Sequence, residues 1–194
     1  MTVRVLAISG SARRDSHNTA LLRAAAEHAP AGVDVELWQD LKSVPAYSED
    51  DDGDHAPAAV TELRSLAAAA DAVLIATPEY NHSIPGALKN AIDWLSRPVA
   101  TNPLRGKPVA VVGASTGMFG AVWAQAELRK VLGALGARAI DRELAIAHAH
   151  TRVSDGQLAH DDEARAELAE RLEALAAAVA ERSDAATAVN AAAA

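Results

Sequence analysis

Three short polar stretches hold most of the side chains in this sequence that are suited to chemistry. The first is Ser9-Gly10-Ser11-Ala12-Arg13-Arg14-Asp15-Ser16-His17-Asn18. It offers serine hydroxyls, an amide, cations and backbone N–H groups just ahead of a helical pattern. Such donors at a helix N-terminus hold an anion, a phosphate above all. Arg13 supplies the neutralising charge, and Ser11, Ser16 and Asn18 supply short neutral donors. The stretch is not a P-loop, because no Gly-Lys-Ser/Thr ends it. It is not a dinucleotide fingerprint either, because Gly10 stands alone where three glycines are needed. A plain polar turn closed by an Asn or Thr helix cap is the competing reading.

The second stretch, Thr77-Pro78-Glu79-Tyr80-Asn81-His82-Ser83-Ile84-Pro85-Gly86, is stiffened by two prolines. A stiff loop with free backbone N–H groups suits the polar edge of a flat ring. The alternative is a simple connection with Tyr80 packed locally. The third, Ser115-Thr116-Gly117-Met118-Phe119-Gly120, combines glycines and hydroxyls, which permit close approach of a ligand, with two apolar residues for cover. A flexible surface loop with those two residues tucked beneath it would look the same.

Other constellations carry less. Glu49-Asp50-Asp51-Asp52-Gly53-Asp54 invites a calcium reading, but Ser48 stands where an EF-hand loop opens on Asp, and Ala59 where it closes on Glu. A solvated loop is expected there, bordering the site together with Pro45 and Tyr47. His148 and His150 have no neighbouring carboxylate, so a surface strand end is expected rather than a metal site. No G-x-S-x-G elbow supports a serine hydrolase. We therefore expect no metal ligands.

The elements that position these loops follow from the apolar pattern. Val3–Ile8, Val33–Leu37, Ala72–Ala76 and Pro108–Ala114 read as strands, and the charge-interrupted Arg138–Ile146 as an edge strand. Continuous apolar runs such as Ala72–Ala76 mark strands buried on both faces. Helical patterns lie between them, over Thr19–His28, Ala58–Ala70, the residues after Gly86, the Leu128–Leu135 region and Leu168–Val179. This alternation predicts an α/β fold, a three-layer sandwich around a five-stranded parallel sheet. Ligands in such folds bind beyond the carboxyl ends of the strands, which is where the three loops fall. One domain over residues 1–182 is expected, with 183–194 a disordered tail.

Composition narrows the function. The 194 residues carry a net charge of −8, which gives no general pull toward nucleic acid or acidic membranes. There is no cysteine, so thiolate catalysis, Cys-ligated zinc and iron–sulfur clusters are excluded. The same absence suits a reducing cytosol, and a cytoplasmic location is expected. The N-terminal apolar stretch is too short for a signal-peptide core.

Gly-Ser-Ala-Arg-x-x-Ser-x-Asn over residues 10–18, followed by Pro78-Glu79-Tyr80-Asn81-His82-Ser83-Ile84-Pro85-Gly86-Ala87-Leu88-Lys89-Asn90-Ala91-Ile92-Asp93-Trp94, resembles the NADPH-dependent FMN reductase family. The resemblance spans residues 3 to 147 and implies a flavodoxin-like fold. It assigns Ser11, Arg13, Ser16, His17 and Asn18 to the FMN phosphate. Pro78, Glu79, Tyr80 and Asn81 fall to the isoalloxazine, largely through backbone groups, and Ser115 and Gly117 to its other side. Lys89, Asn90, Asp93 and Trp94 are expected to be structural or interfacial. Ala121-Val122-Trp123-Ala124-Gln125 departs from the Gly- and Arg-containing stretch common in the family, although Gln125, Leu128 and Arg129 fit its continuation.

The resemblance implies an oxidoreductase that takes hydride from NADPH or NADH onto FMN. It then serves a quinone, flavin, azo or similar small-molecule acceptor by a ping-pong mechanism. No catalytic side chain is expected, because the flavin carries the chemistry. A homodimer or homotetramer is implied, since relatives bury flavin edges at subunit contacts. The alternatives are a flavodoxin-like electron carrier and a non-catalytic flavin-binding sensor. The carrier is disfavoured by Ser11-Ala12-Arg13 in place of a Thr-rich loop, and by the scarcity of aromatic residues.

Overall fold

The fold is seen in a computed structural model that describes residues 2–154, 156–158 and 161–192. Strand β1 (Val3–Ser9) leads through the first loop into helix α1 (His17–Glu27). Strand β2 (Val33–Trp38), helix α2 (Ala58–Ala69), strand β3 (Ala72–Thr77) and helix α3 (Gly86–Leu95) follow. Strand β4 (Pro108–Ala114) and helix α4 (Val122–Ala134) complete the central run. All pairings among β1 to β4 are parallel, and the sheet order is β2-β1-β3-β4 with the edge beyond β4.

Side chains alternate between two cores because successive strand residues point to opposite faces. On one side Leu6, Ile8, Val73, Ile75, Val109 and Val111 pack against α2, α3 and α4. On the other, Val5, Ala7, Leu74, Ala76, Ala110 and Val112 pack against α1 and the last helix, α6 (Asp162–Ala192). Every residue of β3 and β4 is buried, which explains their unbroken apolar sequences. The Lys107 ammonium, itself buried, donates to the carbonyls of Ala67 and Ala70 and so closes the end of α2. Burial pushes its pKa down to about 8.

The edge differs from expectation. Arg138–Ile146 is not one strand but two, β5 (Arg138–Ala139) and β6 (Ala145–Ile146), each a parallel partner of β4. The sheet therefore has six strands in five positions. The chain leaves the sheet at Asp141-Arg142-Glu143, where Arg142 and Glu143 turn outward to pair with Glu170 and Arg129.

His148 and Ala149-His150 do not end a strand. His148 takes a left-handed conformation and caps a one-turn helix, α5 (Ala149–Arg152). A small antiparallel pair, β7 (Val153–Ser154) and β8 (Gln157–Leu158), follows it, where the apolar pattern predicts no strand. Helix α6 runs through residues 183–192, where the sequence suggests a frayed tail. This stretch is rich in alanine, the strongest helix former. Residues 193 and 194 lie outside the described residues.

The acidic segment forms short 3-10 turns over Glu49–Asp51 and Gly53–His55. Asp52 pairs with Arg64 at 2.8 Å. Arg64 also donates to the Trp94 carbonyl. Asn90 and Trp94 anchor the preceding loop, each donating to the Pro45 carbonyl, at 2.7 and 2.9 Å. Lys89 pairs with Asp93 along α3. The four residues of the family block thus have structural partners.

Candidate functional site

A cavity of about 270 Å³ opens at the carboxyl ends of β1, β3 and β4. It is lined by Ser11, Arg13, Ser16, His17, Asn18, Pro78, Glu79 and Tyr80, with Ala114, Ser115 and Thr116. The three loops therefore meet, and nine of the expected residues share one hollow. Asn81 and Gly117 do not line it. Ala114 and Thr116 do, and sequence reasoning missed both. Thr116 sits in a Ser-Thr-Gly run that hinted at it, whereas Ala114 contributes backbone, which has no signature in residue type.

The first loop is held down at its start. Gly10 N–H donates to the Ala76 carbonyl at 2.8 Å. A Cβ at Gly10 would lie 2.8 Å from Leu88 Cδ2 and 2.9 Å from that same carbonyl oxygen, so only glycine fits this crossing. Ser16 is the N-cap of α1, its Oγ accepting from Thr19 N–H at 3.3 Å. Ser11 Oγ accepts from Arg13 N–H at 3.3 Å. Both hydroxyls keep a proton to donate into the cavity.

Asn18 is differently employed. Its Nδ2 donates to the Ala114 carbonyl and its Oδ1 accepts from Ala114 N–H, both at 2.9 Å. The side chain clamps α1 to the end of β4. What Asn18 can still offer a ligand is its N–H in the first turn of the helix, which has no intrahelical partner.

His17 opens α1, and its Nδ1 is buried without a partner among the described residues. Burial, with the charges of Arg13 and His150 nearby, lowers its pKa below the usual histidine value. Arg13 forms no ion pair among the described residues. One end of the cavity is thus rich in unspent donors, and no carboxylate opposes them there.

The second loop is a tight reversal. Tyr80 and Ser83 exchange both backbone hydrogen bonds, at 2.9 and 3.0 Å. Asn81 and His82 between them have φ of 54° and 60°, as a two-residue turn of this hand demands. Both residues are carried to the tip, away from the cavity. Glu79 reaches across to α4, where Oε2 accepts from Trp123 N–H at 3.0 Å and Ala124 N–H at 3.1 Å. Helix α4 starts on Ala121, which has no side chain able to cap it. A carboxylate 44 and 45 residues away from the two N–H groups does so instead, favoured by the helix dipole. His82 Nδ1 lies 3.8 Å from the other Glu79 oxygen and its ring meets Trp123 edge-on.

The third loop is stapled to β6 and α5. Ser115 N–H donates to the Ile146 carbonyl, and His148 N–H to that of Gly117, each at 3.0 Å. Gly120 has φ of +58° and packs against the Ala145 backbone. Met118 and Phe119 are not tucked under. They are 67% and 55% exposed, the Phe119 ring meets the 41% exposed Trp123 edge-on at 4.9 Å, and Tyr80 in the second loop is 54% exposed.

A parallel sheet in the order 2-1-3-4-5, with a donor-rich loop at its first strand–helix turn and two more loops facing it, defines a flavodoxin-like protein. The chain belongs to the NADPH-dependent FMN reductase family, whose pattern it matches over residues 3–151. It is 43% identical over 174 residues to an NAD(P)H-dependent FMN reductase of Pseudomonas aeruginosa, covering 89% of this chain and 93% of that protein. It is 39% identical over 141 residues to a quinone reductase of Escherichia coli, covering 72% and 74%. Among solved structures it resembles a flavoenzyme NAD(P)H:(acceptor) oxidoreductase from Paracoccus denitrificans, with a TM-score of 0.81 and 35% identity over 93% of this chain and 98% of that one. The protein is therefore an oxidoreductase of this family, with FMN as cofactor and NAD(P)H as reductant.

Proposed function

We propose that the protein is an NAD(P)H-dependent reductase that holds FMN in the described cavity and serves a quinone or a similar small acceptor by a ping-pong mechanism. The observation that carries this is the meeting of nine expected residues, including a set of unopposed donors, around one hollow. The donors fit a phosphate monoester. Arg13 supplies charge, Ser11 and Ser16 supply O–H groups, and the first turn of α1 supplies N–H groups. The otherwise unpartnered Nδ1 of His17 gains a partner. When bound there, FMN would supply the redox chemistry that links the nicotinamide to the acceptor.

The chain's own residues bind and orient. Pro78 to Tyr80 form one wall for the ring system, with Asn81 at the turn tip keeping that wall in shape. Ser115 and Thr116 form the other wall, with Gly117 behind it. Of the backbone N–H groups there, those of Tyr80 and Ser115 are already spent on Ser83 and Ile146, which leaves Glu79 and Thr116 to stabilise negative charge as fixed dipoles. The shared opening favours reductant and acceptor entering in turn. A cytoplasmic location and a single functional domain over residues 1–182 complete the reading. Among the described residues no helix is long and apolar enough to cross a membrane.

The test is anaerobic mixing of FMN-loaded protein with NADPH. Full bleaching of the flavin absorbance within the turnover time is the expected result. Flavin that binds and stays oxidised would remove the reductase reading and point to the electron carrier or the sensor.

His17 gives a second expected outcome. A phosphate beside it favours the charged imidazole, so binding takes up a proton. FMN affinity should therefore strengthen as pH falls toward the usual histidine range, and His17→Gln should flatten that slope. Parallel pH profiles for the two proteins would remove His17 from the phosphate site.

We also propose a homodimer or homotetramer. The exposed side chains of Tyr80, Met118, Phe119 and Trp123, on the second and third loops and the start of α4, support it, because exposed large apolar groups gathered on neighbouring elements mark contact sites. Light scattering should give a multiple of the 20.1 kDa chain mass, and a monomeric mass would refute it.

A further inference from the structure

A second cavity, of about 340 Å³, lies on the other flank of the first loop. It shares Ser11 and Arg13 with the first and adds Arg14, Arg23 and Lys42. The chain as a whole carries −8, so four cations around one hollow run against its general charge. Among the described residues Arg13, Arg14 and Lys42 have no ion-pair partner. Arg23 is held in place, donating to the Gly156 carbonyl and to Gln39 Oε1, each at 3.4 Å. The one acid lining the hollow, Asp40, is engaged locally by the Ser43 hydroxyl at 2.6 Å. Like charges facing one another across a cavity repel, and an anion placed between them relieves that repulsion.

We infer that this second cavity binds a phosphate monoester carried by a nucleotide, separate from the phosphate held by Ser11, Arg13, Ser16 and the start of α1, with Arg14, Arg23 and Lys42 as the cations left for it. The reaction itself supplies one such group, the 2′-phosphate that distinguishes NADPH from NADH. The choice of that ligand rests on the reductase reading, whereas the site rests on the cations. The two hollows share Ser11 and Arg13 in their linings, so a dinucleotide reaching the first lies beside the second. Arginine suits the task because its planar fork matches phosphate oxygens in pairs.

The test uses the FMN-loaded protein and the double variant Arg14→Ala/Lys42→Ala, which leaves the first cavity's lining intact. Two measurements are made: steady-state rates with NADPH and with NADH, and calorimetric titration with 2′,5′-ADP. Two exposed charge pairs are together worth about tenfold in affinity. The expected result is a KM for NADPH raised about tenfold, with KM for NADH, kcat and FMN affinity unchanged, and 2′,5′-ADP binding weakened alike. Weakened 2′,5′-ADP binding with no change in either KM would support the site and make a free nucleotide its source. Equal 2′,5′-ADP binding by both proteins, or equal changes with NADPH and NADH, would overturn the inference. Failure of both nucleotides to reduce the flavin would refute the reductase reading instead, and the titration would still decide the site.

Discussion

Gly120→Ala should cost about 3 kcal/mol of stability, from a left-handed backbone position that disfavours a side chain and from overpacking. For a chain of this size that corresponds to a fall in Tm of roughly 9 °C. The added Cβ would lie 2.5 Å from the Ala145 carbonyl carbon, 2.7 Å from Ile146 N and 2.8 Å from Ala145 O. All three are backbone atoms of the edge strand β6, so no side chain can swing aside to make room. Either the third loop lifts away or β6 leaves β4. Gly133→Ala is the matched control. Its Cβ meets nothing within 4 Å, and in helix α4 it should raise stability by about 0.5–1 kcal/mol. Thermal melts followed by circular dichroism without FMN decide the matter. A Gly120→Ala protein that melts with the parent would show that the loop is not held against β6.

Glu79→Ala should weaken FMN binding roughly tenfold, equivalent to about 1.4 kcal/mol, although the carboxylate is turned toward α4 rather than into the cavity. Each of its two hydrogen bonds to helix N–H groups is charge-assisted and worth about 1.5–3 kcal/mol. Together they join the second loop to the start of α4 and hence to the end of the third loop. Without them both walls of the cavity are free to drift, and ligand binding must then restore their order. Glu79→Gln retains a carbonyl oxygen and should recover most of the affinity, with a small loss from the missing charge. Fluorescence titration of FMN compares the three proteins. If alanine and glutamine variants bind FMN as the parent does, the link is structural ornament and Glu79 has no positioning role.

The sequence made the three loops legible because each follows a run of buried apolar residues and is itself polar or glycine-rich. That contrast is a direct record of which backbone leaves the sheet. The work of Asn18 and Glu79 was hidden for a common reason. Both bind backbone groups, Ala114 in one case and Trp123 and Ala124 in the other. Any residue offers those groups, so no residue type announces the partner. The turn at Asn81 and His82 was masked by the prolines around it, which suggested stiffness but not reversal. The broken edge strand was half legible. Asp141, Arg142 and Glu143 marked an interruption, but only register showed that the chain returns to β4 at Ala145. The short β7–β8 pair has only two residues in each strand, too few to set up an alternation. Helix α6 was obscured at its end because alanine suits both faces of a helix and leaves no stripe to follow.

The interrupted edge beyond β4 has a further consequence, for self-association. An open sheet exposes two ladders of unpaired backbone groups, and a long flat ladder is a template for another copy's strand. Here β5 and β6 offer footholds of two residues each, separated by a charged excursion that no incoming strand can follow. At the opposite edge, β2 presents Asp34 and Glu36 to solvent between its half-buried neighbours. Another copy approaching there would bring its own carboxylates against these. The chain can therefore keep an apolar surface next to its site without also inviting fibril-like growth through its sheet, because the two borders of that sheet are closed by length on one side and by charge on the other.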